Sequence, residues 1–483
     1  MNDKADARIV LYHSNDIHSR LENAARIASA IAQERRLLGS ERVLAVDCGD
    51  HMDRMRQETE GSDGAVNVAL LNEAGYEAAT IGNNEGLTFS RDTLHDTYYN
   101  KTKFPIICAN MLQIEDGIQP EWLQKQLIIQ KNGLKIGLTA ATANYSEVYA
   151  LLGWKTTEPL EAIREQVELL RPYADIVIVI SHLGLPLDKK MAEEIHGIDL
   201  ILGAHTHHLL EEALVMNETT ICAAGKFGDY VGRVAISWDS SARKPMFEAS
   251  CVPTSAFEEK ETAAEIIEQY KADARKMLSR TITHLDEALG ARLERESELP
   301  NLLAIGLKNW TDAEIGLVNT GQLLGGLAIG EVTAGELHAL CPSPINPCLA
   351  VLEGKDLRTA LEQALQEEFI YKPIKGFGFR GERLGTLAVA GIHILYDASR
   401  APGSQIVQID INGEPLQESR CYKVGTIDMF SFRVGYETIA NAASFQFFMP
   451  EFIRNVIEKE LGCPQSLRSC KKQHWTAASH YNN

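Results

Sequence analysis

Aspartate, asparagine and histidine residues recur in the N-terminal half of this 483-residue chain, each time directly after a short apolar segment. The motifs are Asp16-Ile17-His18, Asp47-Cys48-Gly49-Asp50, Gly82-Asn83-Asn84-Glu85, Ser181-His182 and His205-Thr206-His207. Neutral imidazoles and carboxylates are the ligands that Zn, Mn, Fe, Co and Ni sites use. Each motif alone is more often a turn, a helix cap or a core histidine, but five in succession predict a metal centre.

A centre with two divalent ions about 3.5–4 Å apart needs a carboxylate that bridges them. Asp50 is the natural candidate for that bridge. Two such ions lower the pKa of a bound water. The chain has no G-x-S-x-G or P-loop motif that would offer a protein nucleophile or a phosphate cradle. The residues therefore indicate a centre for two divalent ions rather than a protein nucleophile.

The apolar segments before these motifs alternate with helical patterns, which is typical of an α/β layer fold. The predicted strands are Arg8 to Ser14, Val43 to Val46, Ala78 to Ile81, Lys135 to Ala140, Asp175 to Ile180, Asp199 to Leu202 and Val231 to Trp238. The predicted helices are Glu22 to Leu38, Ala65 to Glu73, Leu160 to Leu170 and Asp188 to Ile195. Open α/β sheets carry ligands at the carboxyl ends of their strands, so the polar motifs are expected along one edge.

A change in sequence texture predicts a second domain. The segment from Glu258 to Arg280 is rich in Glu, Lys and Ala, with apolar residues at helical spacing. It predicts a helix that either joins two domains or lies on the first. Gly-rich apolar stretches, a proline cluster and alternating segments such as Ile406 to Ile411 then predict an α+β domain. The expected division is 1–255, a linker helix over 256–295, and 296–483, ending in a loosely docked tail of about twenty residues.

The composition limits the partners. Hydrophobic residues make up 45% and charged residues 23% of the chain, as in folded soluble proteins. The formal net charge of −19 argues against polymeric nucleic acid, whereas bound metal ions can still dominate the field inside one pocket. No signal-like apolar region precedes the first strand, and no segment reaches the ~20 apolar residues of a membrane helix. Nine cysteines without a CxxC pair indicate reduced thiols. We therefore expect a cytoplasmic protein with a small-molecule substrate, no membrane contact and no implied protein partner.

The order Asp-x-His, Gly-Asp, Gly-Asn-x-Glu, His and Gly-x-His-x-His resembles the calcineurin-like metallophosphoesterases, and the second domain makes the chain similar to their bacterial 5′-nucleotidase family. The resemblance implies an N-terminal αββα sandwich and a C-terminal α+β substrate-binding domain. It implies that one metal is held by Asp16, His18, Asp50 and His207, and the other by Asp50, Asn83, His182 and His205. The implied reaction is 5′-nucleotidase-like hydrolysis of a phosphate ester of a nucleotide by a metal-bound hydroxide.

The chain departs from the family at the catalytic histidine. The family pattern is Gly-Asn-His-Glu with an Asp two residues beyond the Glu, but this chain has Asn84 and Leu87 at the two positions. An amide donates a hydrogen bond but cannot supply a proton, and a positioned acid contributes ~10²–10⁴ in rate. Asn84 thus becomes the candidate catalytic residue of a slow monophosphatase, or of a phosphodiesterase or pyrophosphatase such as a nucleotide-sugar hydrolase. Two further alternatives are replacement by His51 or His208, and a nucleotide sensor with little turnover.

Aromatic residues in the second half lie where the family presents rings that sandwich a base. They occur in Phe377-Gly378-Phe379-Arg380 and in Asp428-Met429-Phe430-Ser431-Phe432. The resemblance implies substrate-binding roles for Phe377, Phe379, Arg380, Phe430 and Phe432, with core packing as the alternative for each ring. The opening Asn319-Thr320-Gly321 matches the family, but Leu324 stands where an Arg is expected. Stacking tolerates any base, so the motifs select none.

Overall fold

The protein, seen here as a computed structural model that describes residues 7–478, divides after Ala274 into two compact units. The strands of the N-terminal unit are β1 Arg8–Ser14, β2 Val43–Asp47, β3 Ala78–Ala79, β4 Ile106–Ile107, β5 Met111–Gln113, β6 Leu123–Gln124, β7 Gln126–Lys131, β8 Leu134–Thr142, β9 Trp154–Thr156, β10 Ile176–His182, β11 Leu200–Gly203, β12 Leu214–Met216, β13 Thr219–Cys222, β14 Tyr230–Asp239 and β15 Lys244–Pro253. Its helices are α1 Leu21–Leu38, α2 Gln57–Gly61, α3 Ala65–Ala74, α4 Asn83–Thr88, α5 Arg91–Lys101, α6 Ser146–Leu151, α7 Pro159–Leu170, α8 Leu185–Glu194 and α9 Glu261–Leu278, which continues into the second unit.

Two large sheets form the centre of the N-terminal unit. One has the order β15-β14-β1-β2-β3-β4-β6, and the other has the order β12-β13-β11-β10-β8-β7. In both sheets the central strands are parallel, and antiparallel strands lie at the edges: β14 and β15 in the first sheet, β12 and β7 in the second. The carboxyl ends of the parallel strands therefore meet at one edge of each sheet.

The layer order follows from the alternation of side chains along buried strands. In β10, Ile176, Ile178 and Ile180 pack between the two sheets, whereas Val177 and Val179 pack against α7 and α8. In β1, Ile9 and Leu11 likewise face the other sheet, while Val10 and Tyr12 face the helices on the outside. The unit is thus an αββα sandwich, and the fold predicted from the sequence is confirmed.

Helix α9 begins on the N-terminal unit. Ala263 and Ile267 are buried in the apolar cluster that also holds α1 and α3, and Ile266 and Tyr270 pack against that cluster. The helix therefore lies on the first unit with one face and carries the chain on to the second, so the two alternatives that the sequence left open are both realised.

The C-terminal unit is a mixed α+β structure. Its strands are β16 Thr281–Leu285, β17 Ile315–Asn319, β18 Gly330–Thr333, β19 Pro347–Glu353, β20 Leu387–Ala390, β21 Ile392–Tyr396, β22 Ile406–Ile411, β23 Glu414–Pro415, β24 Cys421–Ile427, β25 Ser444–Phe447 and β26 Trp475–Ala477. Its helices are α10 Glu298–Trp310, α11 Ala334–Leu340, α12 Gly354–Gln363, α13 Glu367–Ile370, α14 Ile453–Leu461 and α15 Pro464–Ser469. The main sheet has the order β20-β17-β24-β19-β25, and a second has the order β23-β22-β21-β26.

Two glycines let α10 lie directly on the main sheet. Gly316 and Gly425 are paired across β17 and β24. A Cβ atom on Gly316 would lie 1.8 Å from the carbonyl oxygen of Ala304, and one on Gly425 would lie 2.5 Å from that of Leu307. The close helix–sheet contact therefore depends on the absence of side chains at both positions.

The end of the chain is ordered more firmly than its composition suggests. The prediction of a loosely docked tail is wrong for the described residues up to 478, because β26 pairs with β21 and Trp475 Nε1 donates to the carbonyl of Leu387 at 3.1 Å. Residues 479–483 lie outside the described part. All nine cysteines are free thiols. None of the helices described combines the length and the apolar character needed to cross a bilayer.

Strand β10 is buried on both faces, so substitutions in it are expected to destabilise the N-terminal unit strongly. Replacing Ile178, fully buried between the sheets, with Ala removes three methylene-sized groups and leaves a cavity. We expect Ile178→Ala to lower the free energy of unfolding of the N-terminal unit by about 2–5 kcal/mol. Val215→Ala, at a position 70% exposed, should change it by less than about 0.5 kcal/mol. Denaturant titration measures both, and equal effects would contradict the layer assignment.

Candidate metal centre

Seven polar residues converge where five parallel strands end. They follow or end β1, β2, β3, β10 and β11, and they are Asp16, His18, Asp50, Asn83, His182, His205 and His207. All seven belong to the N-terminal unit. The structure therefore brings these candidate ligands together at the carboxyl edge of the two sheets.

The side-chain donor atoms of Asp16, His18 and His207 form the first of two clusters. Nε2 of His18 lies 3.2 Å from Nε2 of His207. Oδ1 of Asp16 lies 3.5 Å from the same nitrogen of His207 and 3.9 Å from that of His18. One donor atom from each of these residues lies within 4.8 Å of the others. Such spacing suits a shared cation, and the mixed imidazole and carboxylate set suits first-row transition metals.

A second subset lies on the other side of Asp50. Nε2 of His182 is 3.3 Å from Oδ1 of Asp50 and 3.2 Å from Oδ1 of Asn83. Asp16, Asp50 and His182 again bring donor atoms within 4.8 Å of one another. The other Asp50 oxygen, Oδ2, is 4.0 Å from Nε2 of His18. The two oxygens of one carboxylate thus face the two subsets, as a bridging ligand requires.

His205 is placed differently. Its backbone N–H donates to both carboxylate oxygens of Asp16, at 3.0 and 3.2 Å, and its ring lies 5.2 Å from that of His182. Its Nε2 faces the hydroxyl of Tyr145 at 3.2 Å. Among the described residues His205 joins neither three-residue group, and its Nε2 is occupied by the contact with Tyr145.

Backbone strain is concentrated at this site. Five of the seven residues have left-handed φ angles, which non-glycine residues seldom adopt: Asp16 (51°), His18 (47°), Asp50 (52°), His205 (70°) and His207 (58°). Each such residue costs of order 1–3 kcal/mol, and such residues persist mainly at functional sites. The surrounding sandwich therefore supplies the free energy that holds these side chains inward.

Backbone contacts fix the loops relative to one another. The N–H of Asp16 donates to the carbonyl of Gly49 at 3.0 Å, and that of His18 donates to the carbonyl of Asp50 at 2.9 Å. The Glu85 carboxylate accepts from the N–H groups of Asp50, Met52 and Gly82 at 2.8–3.0 Å. Glu85 was part of a recognised motif, but its anchoring role required the structure.

The electrostatic setting keeps the carboxylates ionised. Burial would raise the pKa of Asp50, but His182 and then His18 hold it below its usual value. Burial alone would also raise the pKa of Asp16. The hydrogen bond from His207 and the charge of His182 outweigh burial and lower that pKa. Burial and then His182 lower the pKa of His205 to about 4. The contact between His182 and Asp50 works against burial and raises the pKa of His182 to about 10, so a cation bound there would replace the His182 proton.

Asn84 occupies the position of the family's histidine beside the first subset. Its backbone N–H donates to Oδ1 of Asp50 at 2.7 Å, and its Nδ2 lies 2.9 Å from Nδ1 of His18 and 3.3 Å from the carbonyl of Met52. Leu87 packs against the neighbouring apolar cluster. The two departures thus leave a neutral, proton-poor surface beside the metal ligands.

The two histidines named as alternatives for this position have different surroundings. His51 is buried with Nδ1 3.2 Å from Nδ2 of Asn67, and burial followed by the charge of His18 lowers its pKa to about 3. His208 is exposed, with Nδ1 2.8 Å from Oγ1 of Thr206.

The aromatic residues predicted to bind substrate separate into two kinds. Phe377 and Phe432 are 53% and 43% exposed, with ring centroids 5.7 Å apart. Phe379 and Phe430 are 4% and 0% exposed and belong to the core of the C-terminal unit. Core packing, the alternative that the sequence left open, therefore accounts for the second pair.

Arg380 and Asn319 of the C-terminal unit make hydrogen bonds within the protein. The backbone N–H of Arg380 donates to Oγ of Ser343, and its guanidinium donates to the carbonyl of Phe379 at 3.3 Å. Asn319 is buried and donates to the carbonyl of Leu384 at 2.7 Å. Leu324, which replaces the expected arginine, is 53% exposed. The Asn-x-Gly opening thus ties β17 to a neighbouring loop.

Comparison with known proteins agrees with this arrangement. Residues 9–209 match the family model for calcineurin-like phosphoesterases, and residues 281–440 match that for the 5′-nucleotidase C-terminal domain. The uncharacterized metallophosphoesterase YunD of Bacillus subtilis (strain 168) is 38% identical over 460 residues, covering 94% of this chain and 99% of its own.

Two solved structures share the fold over nearly the whole chain. A putative 5′-nucleotidase from Staphylococcus aureus superimposes with a TM-score of 0.70 at 17% identity, covering 98% of this chain and 100% of its own. The NAD nucleotidase of Haemophilus influenzae superimposes with a TM-score of 0.67 at 14% identity, covering 98% and 97%.

The fold and site define a metallophosphoesterase. The chain belongs to the calcineurin-like metallophosphoesterases, within their 5′-nucleotidase family, as its sequence suggested. Members of this family are metal-dependent phosphoric ester hydrolases.

Gly82 offers a sharp test of the site geometry. Its φ of −90° suits any residue, yet a Cβ there would lie 2.0 Å from Oδ1 of Asp50. We expect Gly82→Ala to displace that carboxylate, abolish stoichiometric Mn²⁺ binding and cost about 1–3 kcal/mol of stability from overpacking. Gly462→Ala, whose Cβ meets nothing closer than 3.4 Å, serves as the control. Calorimetric Mn²⁺ titration checks this, and full binding by Gly82→Ala would contradict the geometry.

Proposed function

We propose that this protein hydrolyses a phosphate ester of a nucleotide with two divalent cations, in the manner of a 5′-nucleotidase. The observation that carries the proposal is the placement of Asp50, whose two oxygens lie 3.3 Å from His182 and 4.0 Å from His18. A single carboxylate between two ligand clusters has a clear use in binding a pair of cations.

The donor atoms fit such a pair. One cation would be held by Asp16, His18, Asp50 and His207, and the other by Asp50, Asn83, His182 and His205. Nitrogen and oxygen donors of this kind accept Mn, Zn, Fe, Co or Ni, and availability selects among them. When bound, the cations supply an acidified water and neutralise charge on the phosphoryl oxygens.

Asn84 would act on both a ligand and the substrate. If Nε2 of His18 holds a cation, Nδ1 carries the ring proton. Oδ2 of Asp53, 3.7 Å from Nδ1, and the side chain of Asn84, 2.9 Å from it, are the neighbouring groups that could accept that proton's hydrogen bond. The Asn84 amide would be a hydrogen-bond donor to the substrate, not a proton donor.

A nucleotide substrate is supported by the exposed aromatic pair. Phe377 and Phe432 offer faces to a base, and the cationic side chain of Arg380 is near in sequence. Phe379 and Phe430 would support them from the core. A cytoplasmic location remains part of the proposal, supported by the nine free thiols.

The aromatic pair predicts a binding effect. Because base stacking is worth ~1–3 kcal/mol by alanine substitution, Phe432→Ala should raise KM for a nucleoside monophosphate by about tenfold. Its activity on ribose 5-phosphate, which has no base, should stay unchanged. Tyr371→Ala provides the control, since Tyr371 is equally exposed in the same unit, at 43%. An unaltered KM in Phe432→Ala would remove this residue from the substrate site.

A phosphoric anhydride is the second candidate substrate. Asn84 and Leu87 leave no proton donor at the family's usual position, and a phosphate leaving group needs none. The fold shared with an NAD nucleotidase supports the same direction. We expect kcat/KM on a nucleotide diphosphate-sugar to exceed that on the matching monophosphate. Equal or greater activity on the monophosphate would exclude this preference.

The proposal is tested by phosphate release from metal-stripped protein after Mn²⁺ is added back. The panel should include nucleoside monophosphates, cyclic nucleotides and nucleotide sugars, with coupled phosphatase for the last two. Asp50→Asn should lose metal and turnover together, whereas Asp116→Asn, an exposed aspartate in the same unit, should retain both. Stoichiometric Mn²⁺ binding without turnover on any member would instead indicate a nucleotide sensor.

A further inference from the structure

Tyr145 lies at the same sheet edge as the metal ligands, although its sequence context gave no signal. It follows β8, whose last residue, Thr142, is paired with His182 at the end of β10. Three residues later the chain places Tyr145 directly before α6. β8 is thus a further parallel strand whose carboxyl end contributes a polar side chain to the site.

The phenol has a defined partner there. Its oxygen is 3.2 Å from Nε2 of His205, and the two rings meet edge to face with centroids 6.1 Å apart. The ring of Tyr145 is half-buried and packs against the same apolar cluster as Leu87. Its orientation is therefore set by packing as well as by the hydrogen bond.

Helix packing joins the element that carries Tyr145 to the one that carries Asn84. A Cβ on Gly86 of α4 would lie 2.7 Å from the ring of Tyr149 in α6, so these two helices touch. Helix α4 carries both Asn84 and Leu87, and Tyr145 directly precedes α6. The residues that depart from the family and the tyrosine therefore belong to neighbouring elements at the same sheet edge.

The hydrogen-bonding capacity of a phenol fits this position. A metal-binding imidazole donates its second ring N–H to a neighbouring acceptor, and Nε2 of His205 is directed at the tyrosine oxygen. A phenol accepts one hydrogen bond and donates another, so its own hydrogen remains available to a further acceptor. A phenol has an ordinary pKa of about 10, so that hydrogen stays in place at neutral pH.

We propose that Tyr145 takes over part of the missing histidine's role. Its oxygen would accept from Nε2–H of His205, which leaves Nδ1 as the nitrogen of that ring able to hold a cation, and its O–H would donate to the phosphoryl group of the substrate. This inference rests on the proposed phosphohydrolase function.

Two measurements on Tyr145→Phe test the two halves. Mn²⁺ titration of the substrate-free protein reports on His205, and the apparent affinity should fall 10–100-fold, as for other partners of metal-bound histidines. Turnover of a nucleoside monophosphate at saturating Mn²⁺ reports on the donor, and kcat should fall by about 10²–10³ with KM nearly unchanged. Tyr149→Phe, which removes a buried hydroxyl one turn along the same helix, should leave both values unchanged.

The possible results distinguish a failure of the Tyr145 proposal from a failure of the proposed phosphohydrolase function. Wild-type affinity in Tyr145→Phe would overturn the positioning of His205. If Tyr145→Phe reaches the wild-type kcat at saturating Mn²⁺, the donor role is overturned. This holds also when the variant is inactive at low Mn²⁺ and regains activity only when more metal is added. Absence of Mn²⁺-dependent turnover in the wild-type protein would overturn the proposed function itself.

Discussion

The carboxylate of Asp50 is the interaction on which the site depends. It lies between two clusters of nitrogen and oxygen donors, and its backbone is held in a left-handed conformation. Glu85 accepts the N–H of Asp50, and Gly82 leaves room for its oxygen. The left-handed backbone of Asp50 and the repulsion between the carboxylates of Asp16 and Asp50 are both unfavourable. Without the rigid αββα sandwich this loop would therefore relax. A divalent cation on each side would relieve the charge repulsion.

The second constraint is the absence of the family's catalytic histidine and of the aspartate that orients it. With Asn84 and Leu87 beside the candidate ligands, the chain keeps two three-residue clusters that could hold cations but has no titratable donor at those two positions. A phosphoryl group bound there would have its charge neutralised by cations, while help for its leaving group must come from elsewhere. This asymmetry points either to a leaving group that needs no proton or to a substitute donor. In the role proposed for Tyr145, its O–H stabilises the phosphoryl group and does not supply a proton to the leaving group.

The sequence predicted the parts of the structure that depend on local pattern. The strand bounds Arg8–Ser14 and Ile406–Ile411 agree with the structure at both ends, because short runs rich in β-branched and apolar residues that end at turn residues predict strands. The convergence of the metal-site residues was predictable too, since parallel strands must end at the same edge.

What the sequence could not give depends on packing between distant segments. Phe377 and Phe379 are two residues apart, yet one is 53% exposed and the other is buried, which a loop sequence does not reveal. The docking of Trp475 on β21 is set by a partner about eighty residues earlier. Tyr145 meets His205 across 60 residues, so its role became visible only when the contact was seen.

The measurement that tests the central claim most directly is anomalous X-ray diffraction from crystals of the protein loaded with Mn²⁺. The account predicts two manganese peaks within about 4 Å of each other, one on each side of the Asp50 carboxylate, with His18 and His207 at one and His182 at the other. A single peak, or two peaks that do not share Asp50, would contradict it.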